Sequence, residues 1–175
     1  MSRYPVIYAG QRITADLQSS MLVLEAYKAT GTTRSSTTTF ADDPDLTIAL
    51  EANATYWVEM YIKYAAVTAE QFKTNWTVPS GATGGRARHG LSSSVNDTTA
   101  GGPFGDGAWG HHGFTTTLTY GTRNSASNQV FAYEIGFVTT STTAGNVALA
   151  WAQNASGATG TSVSAGSYMR AKRIF

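Results

Sequence analysis

The ten residues TYWVEMYIKY, at positions 55–64, constrain the fold more than any other stretch of the chain. Large apolar side chains occupy every second position, at Tyr56, Val58, Met60, Ile62 and Tyr64. Successive side chains of a β-strand point to opposite faces, so this period of two predicts a strand with one face in a core. An amphipathic helix would instead place its apolar residues three or four positions apart.

Other segments carry a similar alternation and are separated by turn-forming residues. They are DLTIAL at residues 45–50, FKTNWTV at residues 72–78, QVFAYEIGFV at residues 129–138 and NVALAW at residues 146–151. The strands follow one another without the intervening helices of a parallel sheet. We therefore predict an all-β fold, an antiparallel β-sandwich with a jelly-roll-like strand order. The segment EANAT at residues 51–55 is expected to join two strands as a tight hairpin.

The composition narrows the range of partners. Charged residues make up 13% of the chain, and the net charge is +1, so no general basic field is present and nucleic acid is not an expected partner. The chain has no cysteine, which excludes disulfides, thiolate metal sites and cysteine nucleophiles. No stretch reaches the roughly 20 apolar residues of a membrane helix, and the first residues do not form a signal-peptide pattern. We expect no membrane partner, and we expect assembly in a cytoplasm.

The first 21 residues differ from the rest of the chain because their apolar side chains follow a helical period. Ile13, Leu17 and Met21 recur at every fourth position, which places them on one face of a short helix. A helix of about two turns is not stable alone in water. It needs a surface for these side chains, either its own β-domain or another subunit. We predict that residues 1–21 form a docking arm with a short helix.

The β-sandwich domain is predicted to span residues 22–175 and to contain a loop at about residues 81–113 that is rich in glycine and serine. Loops this long inside a compact domain usually carry a function. The two neighbouring histidines in it do not favour a metal site, because adjacent side chains on extended backbone point to opposite sides. A surface or interface loop is the favoured interpretation, and no metal or cofactor is expected. The candidate surface-binding residues are Asp106, Trp109, His111 and His112.

The chain carries no recognisable catalytic motif. The G-x-S-x-G pattern of serine hydrolases and the Walker pattern of phosphate-binding loops are missing, and no G-x-G-x-x-G sequence precedes a helical segment. A glycosidase would need two suitably placed carboxylates, for which the strand residues Glu59 and Glu134 are candidates. We expect that the chain is not an enzyme.

Aromatic residues lie on both faces of the predicted strand at residues 55–64. Trp57 and Tyr61 face away from the side that carries Val58, and Tyr133 belongs to a second strand of the same kind. A strand that is aromatic on both faces is expected to be buried on both, one face in the sandwich core and the other against a neighbouring subunit. We predict a subunit interface at Trp57, Tyr61 and Tyr133.

Four segments resemble small virion proteins of tailed bacteriophages that infect actinobacteria. They are YAGQRITADLQSSM at residues 8–21, DLTIALEANATYWVEMYIKY at residues 45–64, FKTNWTVPSGATG at residues 72–84 and WAQNASGATGTSVSAGSYMRAKRI at residues 151–174. The resemblance implies a minor tail or tail-fibre-like protein, a homotrimer located in the virion after assembly in the host bacterial cytoplasm. Its partners would be copies of itself and other virion proteins. A capsid decoration protein, or a tail-borne module that binds a host cell-surface glycan, remains an alternative.

Overall fold

The computed structural model describes residue 5, residues 7–93 and residues 110–175 of the chain. Within these residues, no helix is long and apolar enough to cross a membrane. The elements, in chain order, are α1 (Ala15–Ser20), β1 (Leu24–Tyr27), β2 (Thr32–Arg34), β3 (Ala41–Leu50), β4 (Thr55–Ala66), β5 (Phe72–Thr77), β6 (Thr83–Gly90), β7 (His111–His112), β8 (Leu118–Tyr120), β9 (Ser125–Thr139), β10 (Gly145–Gln153), β11 (Thr161–Val163) and β12 (Tyr168–Arg173).

The strands form two antiparallel sheets packed face to face. The four-stranded sheet has the order β3-β10-β5-β8. The eight-stranded sheet has the order β1-β12-β4-β9-β6-β7, and β11 joins it beside β4 and pairs with β2. Four antiparallel pairs are nested in the sequence, as they would be in one long hairpin folded over on itself. They are β3 with β10, β4 with β9, β5 with β8 and β6 with β7. This nesting is the jelly-roll order, so the predicted all-β sandwich with a jelly-roll topology is confirmed.

The connection at residues 51–55 is not the expected hairpin, because β3 and β4 lie in different sheets. Both strands have an apolar face, on which Leu46 of β3 and Val58 of β4 are fully buried. Two such faces bury each other when their strands lie in opposite layers of a sandwich. The chain therefore crosses from one sheet to the other, and Asn53 makes the turn with a positive φ of 52°.

The predicted glycine-rich loop at about residues 81–113 starts too early in the sequence, because residues Thr83–Gly90 form strand β6. A Cβ atom at Gly84 would lie 2.1 Å from the carbonyl oxygen of Phe137, and φ at Gly84 is 127°. Here glycine permits the close approach of two paired backbones and does not mark a loop. Residues 94–109 of the expected loop lie outside the described residues.

The core between the two sheets is built from aromatic rings. Those of Tyr64 and Phe72 stack with their centroids 4.4 Å apart, and Phe72 also meets Tyr120 and Trp151 at centroid distances of 5.9 Å. All four residues are fully buried. Each ring pair of this kind is worth about 0.5–1.5 kcal/mol beyond the burial of its area, and Tyr64 of β4 meets both Phe72 of β5 and Tyr120 of β8 across the two sheets.

A buried ion pair lies in the middle of this core. Glu134 of β9 and Arg86 of β6 are both fully buried and bonded to each other. The Glu134 carboxylate also accepts hydrogen bonds from Thr74 Oγ1 at 2.5 Å, Trp76 Nε1 at 2.6 Å and Tyr120 Oη at 2.7 Å. These three donors belong to the four-stranded sheet. The carboxylate is therefore a polar bridge between the two layers, and its four donors offset the cost of burying its charge.

A second buried cation joins the edges of the two sheets. Lys28 follows β1, and its Nζ lies 2.9 Å from Asp43 and 2.7 Å from Asp45, both on β3. Asp43 also accepts a hydrogen bond from Trp151 Nε1 at 3.0 Å. The end of β1 is therefore fixed to the facing sheet by charge-assisted hydrogen bonds.

We expect the substitution Glu134→Gln to lower the free energy of unfolding by about 3–5 kcal/mol, because it leaves the Arg86 charge buried without a counter-ion. The matched control is Glu51→Gln. Glu51 also pairs with an arginine, Arg173, but its side chain is 68% exposed. An exposed pair is worth about 0–1 kcal/mol. Urea unfolding of the two variants measures the difference, and equal losses would contradict the bridging role of Glu134.

Candidate interaction surface

The outer face of the eight-stranded sheet, which points away from the core, carries most of the exposed rings of the sandwich. Every second residue of β4 from Tyr56 to Tyr64 points inward and is buried, and the same holds for β9 from Ala132 to Val138. The outward residues between them are half-buried or exposed. They are Trp57, Glu59, Tyr61 and Lys63 on β4, and Phe131, Tyr133, Ile135 and Phe137 on β9.

Strand β9 turns its aromatic rings outward, whereas its inward positions include Ala132 and Gly136. Phe131 and Phe137 are 47% and 46% exposed, whereas Ala132 is fully buried. A Cβ atom at Gly136 would lie 2.4 Å from the backbone oxygen of Gly85 and 3.2 Å from the Cβ of Arg86, so only glycine fits beside the buried arginine. The outward rings of β9 are therefore not part of the core, and core packing does not explain why aromatic residues occupy these positions.

Four tyrosines and a histidine form one line across five strands of the outer face. Register partners in the sheet are Tyr27 and Tyr168, Tyr168 and Tyr61, Tyr61 and Tyr133, and Tyr133 and His89. Directly opposite residues on antiparallel strands share a face. We call Tyr27, Tyr168, Tyr61, Tyr133 and His89 the tyrosine row. Strands lie about 4.8 Å apart, so the row is about 19 Å long.

A line of charges runs beside the tyrosine row. Glu25, Arg170 and Glu59 are register partners on β1, β12 and β4. Arg170 Nε bonds to Glu59, which holds the pKa of the Glu59 carboxyl below its ordinary value. Tyr133 Oη donates a hydrogen bond to Glu59 at 2.6 Å, and Tyr168 Oη donates one to Glu25. Two rings of the row are thus held by carboxylates of the neighbouring line.

The hydroxyls of these two rings stay protonated in neutral solution. Partial burial and the hydrogen bond to Glu59 raise the pKa of Tyr133 to about 12. Partial burial and the hydrogen bond to Glu25 also raise the pKa of Tyr168. Both residues therefore remain hydrogen-bond donors, and the charges of the line come from Glu25, Arg170 and Glu59.

An apolar patch lies on the other side of the line of charges. The rings of Trp57 and Phe137 meet edge to face, with centroids 4.6 Å apart and an interplanar angle of 64°. Ile135 lies one pair further along β9 on the same face. The His111 ring borders the patch, because it lies within 2.5 Å of the position that a Cβ atom on Gly85 would take. We call Trp57, Ile135 and Phe137 the apolar patch.

The three residues predicted for a subunit interface share the outer face. Tyr61 is 41% exposed, while Trp57 and Tyr133 are half-buried by their neighbours on the sheet. Trp57 belongs to the apolar patch, and Tyr61 and Tyr133 belong to the tyrosine row. The interface itself stays a prediction.

The two histidines of the predicted surface-binding loop lie on β7 and point to opposite sides. His111 pairs with Ala87 and is exposed on the outer face, whereas His112 pairs with Arg86 and turns inward. Burial, followed by the charges of Arg88 and Arg86, lowers the pKa of His112. No group of three or more potential metal ligands occurs among the described residues. Asp106 and Trp109, the other two predicted residues, lie outside the described residues.

The two carboxylates considered for a glycosidase pair are separated by the sheet itself. Glu59 points outward, and Glu134 points into the core, where it is fully buried. A sugar bond cannot lie between them, so these two residues do not form a hydrolytic pair.

Helix α1 forms where the sequence predicts a short helix. Thr14 is its N-cap and accepts a hydrogen bond from the Leu17 backbone N–H at 3.2 Å, and Asp16 lies in the first turn. None of its residues is buried. The predicted docking residues Ile13 and Met21 are 62% and 44% exposed, and Leu17 is half-buried. The apolar side of the arm therefore has no full cover from its own sandwich.

A cavity lies between α1 and the sandwich. Asp16, Ser19 and Ser20 line a cavity of 370 Å³ together with Tyr56 and Arg173, which lie at the ends of β4 and β12. Leu22, which follows the helix, also lines this cavity and is 68% exposed. The sandwich therefore covers the arm only in part, since Leu17 and Ser20 are half-buried while Ile13 and Met21 are exposed.

Comparison with known proteins finds little similarity. No known protein-family model matches the chain. No curated protein matches it. Among solved structures, it is 9% identical to a structure of infectious bursal disease virus, Gx strain, with a TM-score of 0.23, and 8% identical to the VP2 subviral particle of the same virus, also with a TM-score of 0.23. The matches cover 86% and 88% of this chain and only 40% and 41% of those chains. TM-scores this low carry no argument about the role of the chain.

The Glu59–Arg170 pair should make a pH-dependent contribution to stability. The pKa of Glu59 is lowered in the folded state from its ordinary value of 4.5. The contribution is therefore present above that value and is lost as the pH falls through the folded pKa. We expect Glu59→Gln to lower the free energy of unfolding by about 1 kcal/mol at neutral pH, and the loss to shrink toward zero at low pH. Urea unfolding across this pH range measures it.

Arg170→Gln is the control for this titration, because it breaks the same ion pair from the other side. The two variants should show the same pH profile. A loss for Glu59→Gln that stays constant down to acidic pH would contradict the assignment.

Proposed function

We propose that this protein is a structural component of a tailed-phage virion. It would be a minor tail or tail-fibre-like β-module that attaches to the particle through the arm at residues 1–21 and assembles into a homotrimer. The resemblance of four sequence segments to small virion proteins gives the partner class. The open apolar side of the arm and the apolar patch on the sandwich are the structural features that support it.

The observation that carries the proposal is the pair of uncovered apolar surfaces on a chain with few charges. Phe137 is 46% exposed at the middle of a sheet, and its edge-to-face contact with Trp57 extends the apolar surface to a second strand. Contiguous exposed rings of this kind are typical of protein interfaces, where aromatic residues are enriched and charges depleted. We assign the apolar patch to the contact between copies of the chain.

The arm would bind the particle by its apolar side. Ile13 and Met21 are exposed beside α1 and Leu17 is only half-buried, and a helix of six residues gains most of its stability from packing. Burying this side against another virion protein would stabilise the helix and fix the module in place.

Two related roles follow from the same features. A capsid decoration protein would use the arm on the head instead of the tail. A tail-borne module that recognises a host glycan would add a binding site to the same attachment. In each of these roles we propose a non-enzymatic protein that is assembled in the host cytoplasm and located in the virion.

Light scattering at several concentrations tests the contact between copies. We expect a species near three times the chain mass of 18.5 kDa. The substitution Phe137→Lys should shift it to a monomer, because a charge in the centre of an apolar contact costs several kcal/mol. Phe131→Lys is a matched control, since Phe131 lies on the same strand and face and is equally exposed, at 47%, but is outside the patch. A wild-type monomer, or a trimer that survives Phe137→Lys, would contradict the assignment.

Deletion of residues 1–21 tests the arm. None of the α1 residues is buried, so the truncated protein should keep its fold and melting temperature within a few degrees. It should no longer be incorporated into particles when the full-length chain is replaced. Full-length protein with Ile13→Ser and Met21→Ser should show the same loss of incorporation, measured by the amount of protein per purified particle. Normal incorporation of the truncated chain would overturn the docking role.

A further inference from the structure

We propose that the tyrosine row binds an extended glycan, a linear chain of β-linked pyranose rings laid across the strands of the outer face. This assignment gives Tyr61 and Tyr133 a ligand in place of the subunit contact predicted from the sequence, and leaves Trp57 in the apolar patch. It stands independently of the virion role, because it depends only on the geometry of the row.

The spacing of the row suits a ligand that repeats one ring at a time. Each of five neighbouring strands contributes one ring at the same level, from Tyr27 on β1 to His89 on β6. The backbone positions of the row therefore recur at the strand spacing of about 4.8 Å, which is comparable to the advance per sugar of an extended pyranose chain, and the rings of Tyr133 and His89 lie 6.1 Å apart between their centroids. A flat apolar sugar face can stack on such rings, while its hydroxyls remain at the edge.

The rings are held in place before any ligand arrives. The hydroxyls of Tyr133 and Tyr168 are bonded to Glu59 and Glu25, and Tyr61 stacks on Phe131 with an interplanar angle of 22° and a centroid distance of 5.9 Å. Side chains that are already ordered lose little conformational entropy on binding. Three rings of the row are thus ordered before binding.

The line of charges beside the row favours a glycan over a second copy of the chain. Arg170 is 50% exposed, and Glu25 and Glu59 lie in register with it. Sugar hydroxyls can donate to carboxylates and accept from a guanidinium, so this line suits the polar edge of a glycan. A contact between copies would bury the same three charges in the middle of an interface, where charged residues are depleted.

One sheet thus carries two kinds of surface. The apolar patch consists of two rings and an isoleucine, and Glu59 and Lys172 border it as register partners of Ile135 and Trp57. The tyrosine row combines rings with hydroxyls and neighbouring charges, which is the composition of a site that holds a polar ligand by a few directed bonds.

Titration calorimetry with cellohexaose and chitohexaose, two soluble β-1,4-linked oligosaccharides, tests the proposal. Maltohexaose, whose α-linked chain curves, serves as the control for shape. We expect one of the β-linked probes to bind and maltohexaose to bind more weakly. Tyr61→Ala and Tyr168→Ala should each weaken binding about three- to tenfold, since each removes one ring. Tyr133→Phe keeps the ring and should lose less than Tyr61→Ala.

Phe175→Ala is the control, because it removes an exposed ring that lies outside both the tyrosine row and the apolar patch. It should leave the affinity for the probe unchanged. Lack of binding of both β-linked probes at millimolar concentration would overturn the proposal, as would an equal loss in Phe175→Ala. If Tyr61→Ala instead changes the mass of the protein in solution while no probe binds, the row is a contact between copies and the glycan assignment is wrong. The melting temperature of each variant shows whether it is folded.

Discussion

The buried pair of Arg86 and Glu134 determines how the rest of the sandwich is arranged. Two charges between the sheets need hydrogen-bond partners, and Thr74, Trp76 and Tyr120 provide those of the Glu134 carboxylate from the opposite layer. This requirement fixes which face of β6 and β9 points inward. It also fixes the register between the two sheets at their centre, because a shift by one residue would leave the charges unpaired.

The same pair explains the unusual outer face. A Cβ atom at Gly136 would lie 3.2 Å from the Cβ of Arg86, so β9 carries a glycine beside the buried arginine. With Ala132, Glu134 and Gly136 facing the core, the rings of the strand alternate with them on the outside. The exposed rings are thus a geometric consequence of the polar centre, and their surroundings separate them into an apolar patch and a tyrosine row with different chemistry.

The sequence predicts well which face of a strand each side chain occupies, and it predicts poorly which strands lie next to each other. A period of two places Trp57 and Tyr61 on the face opposite Val58, and the structure agrees, because alternation is a local property of a strand. Which strand lies beside which is a long-range property, so the expected hairpin between β3 and β4 is wrong. The tyrosine row is invisible for the same reason, since Tyr27, Tyr168 and His89 come together only through a register that joins distant parts of the chain. The glycines in β6 lead to a wrong prediction of a loop for a related reason. Glycine is favoured both in loops and where two backbones pack closely.

The fixation of β1 by Lys28 has a mechanical consequence. The arm enters the sandwich at Leu24, the beginning of β1, while the opposite end of this strand is fastened to Asp43 and Asp45 in the facing sheet. A pull on the arm along the strand axis loads all hydrogen bonds between β1 and β12 at once, together with the ion pairs at the far end. A pull at right angles would open the same bonds one after another, starting at Leu24. The module therefore resists tension best when its arm leaves in line with the strand, and the direction of attachment becomes a determinant of its mechanical strength.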